Sequence, residues 1–197
     1  RDMSWQEMLC QKKFYGMCAM LLCGGLSGMM VISSASDMAQ VEAGFSPAAA
    51  ALMVSVLSLF NAGGRASAGI LSDKLGRIGT LSLVFPISVA ALCALFFFGQ
   101  DSMAVFAVSI ALVGACFGAL MGIFPGFTAD EFGQRNNTVN YGILFFGFAL
   151  SGMLGPQVAS WVMSGTGSYR SAFLIAAVVA LAGFALTFLH RRLAARS

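Results

Sequence analysis

The sequence predicts an all-α membrane protein of six transmembrane helices in a three-plus-three arrangement. Three observations predict it. Of the 197 residues, 58% are hydrophobic and only 10% are charged, with a mean hydropathy of +0.85. A soluble domain carries about 25% charged residues. The charges are also segregated: charge-free runs cover 14–36, 43–64, 78–100, 102–129, 136–169 and 171–189. A bilayer core of roughly 30 Å takes about 20 apolar residues as a helix, so each run fits one span and none fits two. Finally, the period-two alternation of a membrane β-barrel is absent.

The first span runs over about 14–36 and is too long for the apolar part of a signal peptide. Its Gly24-Gly25-Leu26-Ser27-Gly28 stretch is a small-residue face for close helix packing. Asp37 is expected to end it. Gly44 and Pro47 then suit the start of the second span, about 47–71.

The second span holds the one full charge deep inside any span. Asn61 and Arg65 lie four apart and share a helix face. Arg65 is about 12 Å of helical rise from Asp73 at the end of the span. An arginine at such depth costs a few kcal/mol. Two readings stand: an anionic partner or a hydrated cavity offsets the cost, or the side chain snorkels to the headgroups.

Span three, about 79–99, ends in Phe96-Phe97-Phe98. Span four, about 103–126, carries Gly114, Gly118, Gly122 and Gly126 on one stripe, with Pro125 able to bend its end. Span five, about 138–163, contains Gly155-Pro156, which is expected to loosen its backbone midway. Trp161 and Tyr169 suit an interface belt. Span six covers about 170–189, and residues 191–197 form a tail.

Positive charges alternate between the ends of the spans. Arg1, Lys12, Lys13, Lys74, Arg77, Arg135, Arg191, Arg192 and Arg196 fall on one side, whereas Asp37, Glu42 and Asp101 share the other with Arg170. The positive-inside rule places both termini in the cytoplasm, as six spans require. The net charge of +3 follows from this rule and implies no nucleic-acid partner.

Cofactor and metal chemistry find no support. The five cysteines (Cys10, Cys18, Cys23, Cys93 and Cys116) make no C-x-x-C and read as packing residues. The single histidine, His190, sits among arginines and reads as part of the basic end, so an enzyme lacks a nucleophile–base set. No Asp or Glu lies within a span, so no proton-relay carboxylate is evident.

Between spans two and three lies Gly69-Ile70-Leu71-Ser72-Asp73-Lys74-Leu75-Gly76-Arg77. It resembles the major-facilitator signature G-x-x-x-D-x-x-G-R. Gly69, Asp73, Gly76 and Arg77 are its gating residues by that resemblance, with Asp73 expected against the N-terminus of a neighbouring helix. Asn61-Ala62-Gly63-Gly64-Arg65, Asn140-Tyr141-Gly142 and Gly155-Pro156 resemble the C-terminal half of the oxalate/formate antiporter family. Residues 1–13 then correspond to the end of a central cytoplasmic loop, and 14–190 to one six-helix half with its nested repeat.

The resemblance implies that Arg65 contacts a substrate carboxylate. Asn61 and Tyr141 stand beside it in the candidate set, and Phe117, Met121 and Phe145 line the site. A lysine of the family's oxalate carriers is replaced here by Phe148. One cation in place of two suits a monocarboxylate rather than a dicarboxylate. The implied partners are a small carboxylate, the bilayer, and an N-terminal six-helix half in the same chain or apart, with a bacterial inner membrane as the location. A complete six-helix homodimeric carrier and a non-transporting anion sensor are the alternatives.

Overall fold

The computed structural model describes residues 2–194. They form α1 (Trp5–Leu9), α2 (Lys12–Ile32), α3 (Ala35–Ala43), α4 (Pro47–Leu75), α5 (Arg77–Phe98), α6 (Met103–Phe132), α7 (Asn137–Leu144), α8 (Phe146–Thr166) and α9 (Arg170–Ala194). No strand occurs among the described residues. Six segments are long and apolar enough to cross a membrane: α2, α4, α5, α6, the α7–α8 pair and α9.

Several boundaries differ from the sequence reading. The first span stops at Ile32, and the Ser33–Ser34 turn separates it from α3. Serines compete for backbone hydrogen bonds and so favour helix ends. Asp37 therefore lies in the first turn of α3 and does not terminate the span. The fifth span is offset at Phe145, whereas Gly155-Pro156 is carried through an unbroken α8. Gly155 is pressed against Met29 and the backbone of Met30, so α2 supports the helix where proline weakens it. Residues 191–194 extend α9, while 195–197, together with Arg1 and Arg196, lie outside the described residues.

The packing has an internal two-fold logic. The most extensive contacts are α4 on α6, α2 on α8, α2 on α9, α5 on α9 and α5 on α6. Exchanging spans one, two and three for four, five and six converts α2–α8 into α6–α4 and α2–α9 into α6–α5, and leaves α5–α9 in place. Such a pattern is the mark of a three-plus-three repeat.

The α4–α6 seam is the tightest in the bundle. A methyl group at Gly64 would overlap the Ala115 carbonyl, and one at Gly118 or Gly122 would overlap the carbonyl of Asn61 or Arg65. Backbones approach this closely only where side chains are missing, and dispersion across the seam then supplies much of the attraction.

Each end of the bundle is tied by charge. At the end carrying both termini, Lys13 of α2 and His190 of α9 meet Glu131 of α6 at 3.2 and 3.3 Å. His190 is 1% exposed and its ring lies edge-on to Phe127, so it is a packed residue and no mere surface charge. At the opposite end Glu42 is buried on α3. It accepts hydrogen bonds from Ser168 Oγ at 2.9 Å, the Tyr169 amide and Gln100 Nε2. One carboxylate thus joins α3 to the α5–α6 and α8–α9 turns. Burial foremost, then the nearby Asp37 and Glu42 carboxylates, push the Tyr169 phenol above its usual range against an opposing bond to Ser34.

Candidate functional site

The helix that carries Arg65 is the least covered of the six. Within the bundle 17% of its most apolar stretch is buried, against 61% for α6. Ser46 caps α4 by accepting the Ala49 amide, and Pro47 occupies its first turn, where a missing N–H costs nothing. The helix then runs 29 residues to Leu75. Its backbone is set by the glycine seam with α6, so Asn61 and Arg65 are held from behind by Gly118 and Gly122.

An open cavity of about 590 Å³ lies in front of this face, lined by Ile32, Leu57, Ser58, Asn61, Ala62, Arg65 and Ala66. The Arg65 Nη2 group donates to Asn61 Oδ1 at 3.5 Å. Asn61 lies one turn towards the start of α4, away from the basic end. The side chain therefore leans back into the cavity, the direction helical side chains favour, which is opposite to the direction of snorkelling. Among the described residues no carboxylate pairs with this guanidinium.

The aromatic candidates form a connected row. Tyr141 stacks on Phe145 with ring centroids 5.5 Å apart, Phe145 on Phe148 at 4.6 Å, and Phe148 on Phe117 at 5.7 Å. Phe117 is buried against Gly28, whose missing side chain admits the ring. This row and Met121 do not line the Arg65 cavity. The bundle thus brings Arg65 and Asn61 together and sets the aromatic row on a separate wall. Ile32, Leu57 and Ser58 join the cavity unannounced by any motif; only helical spacing from Asn61 marks Leu57 and Ser58.

The signature loop is a charge relay. Gly76 alone connects α4 to α5, at φ 77°, a left-handed conformation that glycine adopts without strain. Arg77 pairs with Asp73 at 2.7 Å, reaches Ser72 Oγ at 2.5 Å, and bonds Asp130 of α6 through Nε at 2.8 Å. Asp73 meets Arg77, the first residue of α5, and stays mostly exposed. A methyl at Gly126 would strike the Arg77 guanidinium, so span four is hollowed there to receive it. Asp130 was invisible as a partner in the sequence, because its contact joins helices far apart in the chain. Gly69 faces open space.

Comparison with known proteins agrees with this architecture. Residues 16–197 match the Major Facilitator Superfamily. The chain is 34% identical over 150 residues to YhjX, an uncharacterized MFS-type transporter of Escherichia coli, covering 76% of this chain and 37% of that protein. It is 26% identical over 194 residues to the oxalate:formate antiporter of Oxalobacter formigenes, covering 98% of this chain and 46% of that one. A crystal structure of an auto-inhibited POT family peptide transporter superposes with a TM-score of 0.80 at 15% identity, over 92% of this chain and 37% of that chain.

The fold and its charged turn define a multi-pass membrane protein of transporter type. The chain belongs to the Major Facilitator Superfamily, a family of transporters and not of enzymes, and spans less than half the length of the relatives it matches.

Proposed function

We propose that this chain is the C-terminal half of a secondary transporter for a small organic anion, a monocarboxylate of the pyruvate, lactate or formate kind, working by alternating access. The carrying observation is Arg65: a guanidinium with no carboxylate partner among the described residues, turned into an open cavity at mid-span. A planar fork of this sort binds a carboxylate through paired charge-assisted hydrogen bonds. Similarity to the oxalate:formate antiporter and to monocarboxylate transporter 12 of Xenopus laevis, 27% identical over 150 residues, supports the substrate class. Phe148 supports one carboxylate over two, since the row it joins carries no second cation.

The partner in this reading is an N-terminal six-helix half. It covers the α4 face on which Asn61 and Arg65 line the open cavity with Leu57, Ser58, Ala62 and Ala66. Apolar residues alone suit lipid, but an arginine among them calls for protein or water. The basic end then lies in the cytoplasm of a bacterial cell, by the positive-inside rule.

The test is uptake of labelled pyruvate, formate and oxalate into proteoliposomes, by this chain alone and joined to an N-terminal half. Uptake by the joined protein only, favouring a monocarboxylate and lost in Arg65→Ala, is the expected result. Uptake by the chain alone would establish a homodimeric carrier, and equilibrium binding without counterflow a sensor.

A further inference from the structure

We propose that Asn136 and Asn140 are positioning residues that fasten the start of α7 to the segment preceding the first span, and so set where Tyr141 and Phe145 stand. The inference rests on the functional reading above.

The contacts are unusually non-local. Met3 has both of its backbone groups taken by the α6–α7 connection. Its N–H donates to the Phe132 carbonyl at 2.9 Å, and its carbonyl accepts from Asn136 Nδ2 at 3.0 Å and Asn140 Nδ2 at 3.2 Å. Asp2 Oδ1 accepts from the Arg135 amide at 3.1 Å. Just beyond, Ser4 and Glu7 form a complete capping box that starts α1, and Met8 on that helix is fully buried. Residues 2–8 therefore act as a clasp laid across the α6–α7 turn.

Asn140 is itself fully buried. Burying a side-chain amide is costly unless it is hydrogen-bonded; here Nδ2 is spent on a backbone carbonyl of a distant segment, while Oδ1 is buried without a partner among the described residues. The next residue is Tyr141, whose ring begins the aromatic row towards Phe117. The α7–α8 join at Phe145 lies little more than one turn further on.

The two sides of that join are supported differently. Beyond it α8 is packed on α2, with Gly147 against the Cys18 carbonyl and Gly155 against Met29 and Met30. Before it the eight-residue α7 is held by the end of α6, where Asn137 Nδ2 donates to the Pro125 carbonyl at 3.2 Å, and by the clasp. Releasing the clasp removes the support at the start of α7, beside Tyr141, while α8 keeps its packing on α2. The aromatic wall is thereby coupled to the connection upstream of the first span.

The experiment compares Asn136→Ala, Asn140→Ala and Met3→Pro in the transporter joined to its N-terminal half, reading KM and maximal rate for the transported monocarboxylate alongside membrane yield and melting temperature. None of Asn136, Asn140 and Met3 lines the Arg65 cavity. Each variant is expected to raise KM about fivefold, as the loss of one hydrogen bond implies, with little change in maximal rate. The pair Asn140→Ala with Met3→Pro is expected to be no worse than either alone, because both open one clasp. Unchanged KM in well-folded Asn136→Ala and Met3→Pro proteins would overturn the proposal, as would an effect confined to Asn140→Ala, which would make Asn140 a direct ligand. Should Met3→Pro fail to assemble, Asn136→Ala decides alone. Arg65→Ala run in parallel separates the two readings: uptake that survives it sinks the site itself, whatever the clasp variants do.

Discussion

Arg65 is a full charge on a helix face otherwise lined with the uncharged Leu57, Ser58, Asn61, Ala62 and Ala66. Keeping it there costs about 2.5–3.5 kcal/mol on insertion scales, so its removal without penalty to uptake is not expected. Arg65→Ala should lower uptake by about 100-fold, the loss of two charge-assisted bonds. Arg65→Lys keeps the charge without the fork and should fall between, near tenfold. Phe148→Lys restores a second cation and should shift the uptake ratio from pyruvate towards oxalate, measured by competition in proteoliposomes. Arg65 was legible in the sequence because a lone charge within an apolar span needs an anionic partner, a hydrated cavity or a path to the headgroups. Glu42 was not. It reads as an ordinary loop acid, and its burial depends on Gln100, Ser168 and Tyr169, which reach it only once the chain is folded.

The elements are governed by what packs behind them. Gly118→Val should wedge α4 from α6 against the Asn61 carbonyl, at a cost of about 1–3 kcal/mol as overpacking. Its signature is a lower melting temperature together with weaker anion binding, since the same carbonyl belongs to the site helix. Glu42→Ala should destabilise by a comparable amount, about 1–3 kcal/mol for the orphaned buried Tyr169 amide, and should loosen the end opposite the termini. Span existence was plain from the charge-free runs. Breaks within spans were not: proline at 156 suggested a weak point that α2 repairs, while the offset at Phe145 carries no proline or glycine to announce it.

For the whole molecule, the asymmetry of charge predicts its orientation. Cys10 is exposed near the basic end. In a variant where it is the only cysteine, an impermeant maleimide should label it in inside-out vesicles and leave it untouched in intact cells. A cysteine placed at Asp101 should behave the opposite way. The Asp73–Arg77–Asp130 relay sits at that same basic end and ties span two to span four. Asp130→Asn weakens that tie and is expected to raise labelling of cavity cysteines from the cytoplasmic side, if the relay holds a closed gate.

By itself the sequence determined that six helices cross a membrane, which way the charges bias them, and where one unusual arginine stands. Those properties follow from composition and period along a single chain, because lipid demands apolar length and satisfied backbone whatever the partner helices are. The tertiary structure alone decided the rest: that Arg77 answers to Asp130, that Glu42 and His190 are buried, that Met3 is claimed by two asparagines, and that Arg65 leans away from the headgroups. Each joins residues remote in sequence or depends on which face of a helix is covered, and hydropathy along the chain carries no record of either.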